Sequence, residues 1–352
     1  MITRTIQDLF SSFISDRKTE DNRDSHVLII DGLNTFIRVF AVVPALNDDG
    51  QHVGGTVGFL RSIGANIRQF ASTRCIVVFD GKGGSARRRK LYPDYKANRK
   101  VRKSLNRHDE FKNLEDERAS MSRQIVRILE YINVLPVTFI ALDNIEADDT
   151  IAYIARQYYE GVDNKITIVS SDRDFIQLAN NQVRIWSPVK KKLYTPDRIV
   201  KEWGLHPKNY LLYRVIDGDS SDNIPGVKGV GLKTLQKRFP TINDKNIEIT
   251  NLLEYAKKEI DNGSNIKVYK DMVAAEETLI LNNKLMQLED VDISADQKMQ
   301  IINKLNGPIE TLDIVAFKKM FMQDKLYTII KDVDRWLFNT FTKLNSYVKK
   351  LR

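Results

Sequence analysis

Short apolar runs that end in a carboxylate recur along the first two hundred residues. His26-Val-Leu-Ile-Ile-Asp31, Cys75-Ile-Val-Val-Phe-Asp80 and Lys165-Ile-Thr-Ile-Val-Ser-Ser-Asp172 each set an apolar stretch before an aspartate. A short run without polar alternation suits a strand buried on both faces. Val137-Thr-Phe-Ile140 reads as a further strand, and Val183-Arg-Ile-Trp186 with Lys192-Leu-Tyr-Thr195 as a closing strand and hairpin. Helical periodicity fills the gaps, over about 56–72, 117–134 and 147–159. Strands that alternate with helices of this length form βαβ units. The chain therefore reads as α/β, with a mostly parallel central sheet flanked by helices. Ligands of open sheets gather at the carboxyl ends of the strands, where the three aspartates stand.

Nine carboxylates are candidates for a site: Asp31, Asp80, Glu146, Asp148, Asp149, Asp172, Asp174, Asp219 and Asp222. Each alone has an ordinary explanation. An Asp after a strand caps a helix, acids at 146–149 complement a helix N-terminus, and Asp-x-Asp is common. Converging in one cleft, they cannot all stay ionised without counter-charge. Divalent cations supply that charge, and two of them about 4 Å apart suit phosphodiester cleavage. The single cysteine, Cys75, and the scattered His26, His52, His108 and His206 do not build a zinc site. That leaves a hard cation held by oxygen. No Ser-His-Asp or Cys-His arrangement competes for the chemistry.

The formal net charge is +9, and residues 82–107 hold eleven basic residues against the one acid Asp94. The excess thus sits in one segment, which reads as a phosphate-binding stripe including Lys82, Arg87, Arg88, Arg89 and Lys90. A merely solvated face is the alternative. Gly226-Val-Lys-Gly229-Val-Gly231-Leu-Lys233-Thr234 is not a Walker A loop, because Leu232 separates Gly231 from Lys233. It suits a tight turn between helices that offers backbone amides to a DNA phosphate, with Lys228 and Lys233 adding charge. An ordinary helix-turn-helix corner is the competing reading. No apolar run is long enough for a membrane span, and the first 25 residues read as a short amphipathic helix and polar linker without a secretory signal. From about residue 255 to the end the pattern is helical, for example over 271–288 and 333–351.

Six motifs follow one another: Ile30-Asp31-Gly32-Leu33-Asn34, Phe79-Asp80-Gly81-Lys82, Tyr95-Lys96-Ala97-Asn98-Arg99, Glu146-Ala147-Asp148-Asp149, Ser171-Asp172-Arg173-Asp174 and the stretch 218–226. Together they resemble the 5′-nuclease family: flap endonucleases, the 5′→3′ exonuclease domain of bacterial DNA polymerase I, and bacteriophage 5′→3′ exonucleases with ribonuclease H activity. The resemblance covers about residues 27–239. It implies a PIN-like core with two Mg²⁺ ions, for which Mn²⁺ substitutes. Asp31, Asp80, Glu146 and Asp148 would surround the first ion, Asp172, Asp174, Asp219 and Asp222 the second, with Asp149 beside both. It also implies a basic helical arch at about 82–120. There Lys96 and Arg99 would meet the scissile phosphate from one face of a helical turn, and Tyr95 would either stack on a base or pack within the arch. Gly226, Lys228, Gly229, Gly231, Lys233 and Thr234 would form a DNA-gripping helix-three-turn-helix that in relatives also holds K⁺.

The expected division is an N-terminal extension at 1–25, a nuclease core at 26–200, a helix-three-turn-helix region at 201–270 and a helical C-terminal region at 271–352. The implied function is two-metal hydrolysis giving 5′→3′ exonuclease and flap endonuclease activity, with RNA-primer removal during replication. The implied partners are DNA with a free 5′ end, flap or fork, RNA–DNA hybrid, and a replication protein such as a single-stranded-DNA-binding protein. A cytoplasmic monomer of the bacteriophage branch, with no membrane contact, is expected. A catalytically inactive DNA-binding relative, a PIN-like ribonuclease and a small-molecule phosphohydrolase are the alternatives.

Overall fold

The computed structural model describes residues 24–100, 104–108, 111–243 and 247–349. The helix and linker expected before residue 24 lie outside the described residues. Six strands, β1 (His26–Asp31), β2 (Arg74–Asp80), β3 (Thr138–Leu142), β4 (Lys165–Val169), β5 (Val183–Ser187) and β6 (Lys192–Tyr194), form one sheet in the order β3-β2-β1-β4-β5-β6. Neighbours are parallel except for the antiparallel hairpin β5–β6. The chain builds outward from β1 to β3, then returns to the other side of β1 for β4. The carboxyl ends of β1 and β4 therefore flank the switch point where an open sheet leaves a crevice.

The helices up to residue 217 are α1 (Gly32–Val42), α2 (Gly54–Gln69), α3 (Ala86–Leu91), α4 (Leu114–Ile132), α5 (Ala147–Tyr153), α6 (Pro196–Trp203) and α7 (Tyr210–Asp217). They are followed by α8 (Leu232–Arg238), α9 (Ile249–Asp261), α10 (Lys267–Ala274), α11 (Glu276–Met286), α12 (Ala295–Asn306), α13 (Ile314–Gln323) and α14 (Val333–Lys349). Alternate residues of β1 point to opposite layers, as strand geometry requires. Leu28 and Ile30 join a core with Phe36 of α1, Phe59 of α2, Tyr131 of α4, Phe317 of α13 and Phe341 of α14. Val27 and Ile29 join the other core, with Ile151 of α5 and Ile301 and Leu305 of α12. A third core, under α7 to α11, includes Val215, Leu235, Leu252, Met272 and Leu279.

Three elements differ from the sequence reading. Helix α1 had no assignment, although Phe36, Val39 and Phe40 are buried on one face at helical spacing. The expected helix 147–159 continues past α5 as a π-type turn at Ile154–Tyr158. The single helix expected over 271–288 is two, broken at Ala275.

Candidate active site

A cleft of about 770 Å³ opens above the ends of β1, β2 and β4, lined by Asp31, Asp80, Asp148, Asp172 and Asp222 with Lys96 and Arg99. Asp31 is both the last residue of β1 and the N-cap of α1. Its Oδ1 accepts from the Asn34 N–H at 3.1 Å and its Oδ2 from the Ser170 hydroxyl at 2.8 Å. Burial, with Asp172 and Asp80 nearby, still pushes its pKa up to about 7 against those two bonds. Asp80, at the exposed end of β2, accepts from the Ala147 N–H at 2.7 Å and so ties β2 to the start of α5. Burial and the charge of Asp172 raise Asp148 well above the usual carboxylate range. Burial also raises Asp172, with Asp222 and Asp219 adding to the shift.

The other acids are already paired with cations. Glu146 accepts from Ser85 Oγ and Lys96 Nζ, each at 2.6 Å, from Tyr95 at 3.1 Å, and from Arg88. Burial alone would raise its pKa, but Arg88 and Lys96 outweigh it and hold the carboxyl at about 2. Asp149 is clamped by Arg88 at 2.9 Å and by Arg87 at 3.2 Å. Asp174 and Asp219 share buried Arg214, at 2.8 and 2.5 Å. Burial lifts Asp174 to about 7 despite that arginine. Asp219 stays below its ordinary value because Ser221 and Arg214 outweigh its burial. Asp222 accepts from Tyr95 at 3.1 Å and from Arg99, and lies 4.0 Å from Lys96 Nζ.

Asp31, Asp80, Asp148, Asp172 and Asp222 thus line one cleft, Asp222 while bound to Arg99, whereas Glu146, Asp149, Asp174 and Asp219 point into arginine or lysine partners. Among the described residues no three His, Cys, Asp or Glu side chains form a ready-made cage for a metal. The donor chemistry fits a hard divalent ion all the same. Asp31, Asp148 and Asp172 are all-oxygen donors whose pKa values are raised by burial and by the charge of neighbouring carboxylates, a penalty that a bound cation would relieve.

Several basic residues lie elsewhere than expected. Arg88, read as part of the phosphate stripe, is 3% exposed and bound to Glu146, Asp149 and the Leu285 carbonyl. It is a buried counter-charge and offers nothing to a nucleic acid. Tyr95 is also buried, with its hydroxyl on Glu146 and Asp222, so it does not present a face for base stacking. Arg87 is half-buried, whereas Lys82, Arg89, Lys90, Lys228 and Lys233 are exposed. Lys96 does not sit on a helical turn with Arg99, because it has φ +59° and precedes the 3-10 turn Ala97–Lys100. The two still converge on Asp222, Lys96 at 4.0 Å and Arg99 in direct contact.

In the expected arch, the described regular structure before α4 is limited to α3 and that short turn. The segment is anchored at both ends. Lys96 N–H donates to the Asp222 carbonyl at 2.9 Å, and Arg107 N–H to the Ala41 carbonyl, at the end of α1, at 3.1 Å. In the Gly-rich loop, a Cβ on Gly226 would lie 2.2 Å from the Asp217 carbonyl oxygen, so this glycine serves backbone packing. Gly229, at φ +81°, and Gly231 have no neighbour where a Cβ would project, and both face solvent. Thr234 is half-buried on α8.

Two working residues had no place in the sequence reading. Ser170 bonds Asp31 and accepts from the Asp172 N–H at 3.0 Å. Its only signal is a hydroxyl immediately after a buried strand. Arg214 is 2% exposed in the apolar stretch Tyr210-Leu-Leu-Tyr-Arg-Val-Ile216. A lone arginine there implies a buried acid partner.

Residues 26–204 match the family model described as the 5′-3′ exonuclease, N-terminal resolvase-like domain. A 5′-3′ exonuclease of Aquifex aeolicus is 30% identical over 207 residues, 58% of this chain and 66% of that protein. A thermostable DNA polymerase I of Thermus thermophilus is 32% identical over 212 residues, 60% of this chain. The match spans only 23% of the polymerase's own length. Among solved structures, the flap endonuclease of bacteriophage T5, in complex with DNA and metal ions, superposes with a TM-score of 0.60 at 20% identity. The match covers 85% of this chain and 99% of that one.

Proposed function

The chain belongs to the 5′-3′ exonuclease family, and on that premise we propose that it is a structure-specific 5′-nuclease hydrolysing phosphodiesters by a two-metal, Mg²⁺-dependent route. One observation carries the reading: raised, mutually repelling Asp31, Asp148 and Asp172 floor a cleft whose wall holds Lys96 and Arg99. Divalent ions held by Asp31, Asp80, Asp148, Asp172 and Asp222 would supply an activated hydroxide and charge stabilisation for the leaving oxygen.

The remaining work falls to the protein's own groups. Burial disfavours the Lys96 ammonium, but Glu146, Asp148 and Asp222 outweigh it and keep the pKa raised, so Lys96 meets a phosphate as a full cation. Arg99, nearly half exposed, offers a second cation beside it. Ser170 orients Asp31, and Arg214 holds Asp174 against Asp219. Exposed Gly229 and Gly231, with Lys228 and Lys233, take the backbone of the duplex part of the substrate, beside a K⁺ site. Arg89 and Lys90 draw in the 5′ strand. The substrates are DNA with a free 5′ end or flap and RNA–DNA hybrid, acted on by a monomer in the cytoplasm.

A gel assay on 5′-labelled flap DNA and on RNA-primed duplex tests this. Cleavage in Mg²⁺, none in EDTA, and loss of cleavage with retained DNA affinity in Asp80→Ala are expected. Full activity of Asp80→Ala, or no cleavage of either substrate by the native chain, would overturn it.

A further inference from the structure

Asn282 of α11 lies beneath the loop that carries Asp219 and Asp222. It is 1% exposed, and its Nδ2 donates to the Val215 carbonyl at 3.0 Å and to the Pro225 carbonyl at 2.7 Å. Val215 belongs to the last turn of α7, whose carbonyls have no partner within their own helix. The carbonyls on either side of it accept from the Gly218 and Val227 N–H groups. The last turn of α11 is used in the same way. Its Leu285 carbonyl accepts from Arg88 Nε at 2.8 Å, and its Met286 carbonyl from Gln177 Nε2 at 3.0 Å. Arg88 in turn holds Glu146 and Asp149, and Gln177 also donates to the Asp174 carbonyl at 2.8 Å. One helix is thus linked, through Arg88, Gln177 and Asn282, to three of the five acid-bearing segments around the cleft.

We propose that Asn282 is a positioning residue for the hydrolysis: its amide fixes the loop 219–225 against the same helix that fixes Arg88 and Gln177. The proposal rests on the nuclease reading. The loop does more than carry Asp219 and Asp222. It is also where residues 96–99 dock, Lys96 N–H on the Asp222 carbonyl at 2.9 Å and Asn98 Nδ2 on the Ser220 carbonyl at 2.6 Å. The Gly-rich stretch that follows it is held independently, by Val227 N–H on the Ile216 carbonyl at 2.8 Å and by buried Val230. Loss of the Asn282 amide therefore loosens the acids and the docking site of Lys96, and leaves Gly229 and Gly231 in place. It slows the reaction more than it weakens duplex binding.

The test uses the full chain with Asn282→Ala, with Asn282→Ser, which keeps a donor, and with exposed Lys284→Ala as control. In Asn282→Ala the cleavage rate at saturating flap DNA and Mg²⁺ should fall tenfold or more, with a change in duplex Kd below threefold. Asn282→Ser should recover part of the rate. Hydrogen exchange without metal should speed up at the Asp219, Ile224 and Lys96 amides of Asn282→Ala and stay unchanged in β1 and β2. A rate within twofold of the native one, an affinity loss equal to the rate loss, or unchanged exchange over 219–224 would overturn the proposal. If Asn282→Ala does not fold, Asn282→Ser carries the same comparisons. If the native chain cuts no 5′-ended substrate, the nuclease reading falls, and the exchange arm still decides whether Asn282 holds the loop.

Discussion

Asp31 gives up stability so that a charge can stand in the cleft. Its pKa rises from 3.8 to about 7, and each unit corresponds to about 1.4 kcal/mol, so full ionisation in metal-free protein costs a few kcal/mol. The native carboxyl keeps a proton that the unfolded chain releases, and stability therefore declines as pH rises from about 4 toward 7. Asp148, Asp172 and Asp174 are raised and act in the same sense. Glu146 and Asp219 are lowered and act only at more acid pH, while lowered His26 opposes the four. In EDTA the melting temperature should fall between pH 5 and pH 7.5, and Asp31→Asn should raise it at pH 7.5. Mg²⁺ should stabilise most at the higher pH. A metal-free melting temperature that climbs over that interval would contradict the account. Lys96 offers a kinetic counterpart. A contact that strengthens as charge develops lowers kcat when lost, so Lys96→Ala should slow single-turnover cleavage by roughly 10²-fold, whereas Arg89→Ala should cost only affinity and salt dependence. Equal, purely binding defects in the two would remove the distinction. Asp31, Asp80 and Asp172 were legible because they follow strands. The fate of Arg88 was not, because a count of charges carries no information on burial. Arg88→Ala would take a shared buried counter-charge from Glu146 and Asp149 and leave them only Lys96 and Arg87, so its effect belongs to stability and cannot report on phosphate contact.

Among the elements, the Gly-rich loop separates packing from recognition. The sequence shows three equivalent glycines, and the backbone makes them unequal. A methyl on Gly226 would stand 2.2 Å from the Asp217 carbonyl oxygen, a distance that forces the loop off α7. Gly229 needs its left-handed φ of +81°, and Gly231 faces open space. Gly226→Ala should therefore lower the melting temperature, at a cost of about 2 kcal/mol or more. Gly231→Leu should fold normally and weaken duplex binding by blocking the approach of a phosphate to the backbone. Thermal melts and anisotropy titrations with duplex DNA check both, and normal affinity in Gly231→Leu would take the loop out of the interface. β1 and β2 were readable because each holds a continuous apolar run, and β4 and β5 because their β-branched residues outweigh one interior polar position each. Helix α1 was not, since Gly32, Thr35 and Val39 weaken its intrinsic signal and burial of Phe36 and Phe40 against α2 and the sheet decides its conformation. The helical geometry expected for residues 95–99 failed for a similar reason. The Asp222 carbonyl takes the Lys96 N–H, and tertiary docking replaces the helical turn.

At the scale of the whole molecule, α13 and α14 cover one face of the sheet that residues 26–194 build. Sequence motifs end near residue 239, and the pattern beyond reads only as helices; partner surfaces for such helices cannot be read from periodicity alone. In the fold, Phe317 and Phe321 of α13 and Leu337, Phe341 and Leu344 of α14 are buried, at 1% exposure or less, in the core that holds Leu28 and Ile30 of β1. Asp324, just past α13, accepts from Arg127 and Tyr131 of α4, each at 2.8 Å. Burying one large apolar side chain contributes about 1.5–3 kcal/mol. Five of them contribute on the order of 10 kcal/mol, which matches the entire stability of a typical domain. α13 and α14 therefore belong to the body that holds Asp31 at the end of β1, and cannot be an appended partner-binding tail. A chain ending at residue 312 should lose its cooperative melt and expose the sheet face to proteolysis, taking cleavage with it even though every candidate acid remains. A soluble truncated chain with a cooperative melt and native cleavage rates would show instead that the site is held by residues 24–312 alone.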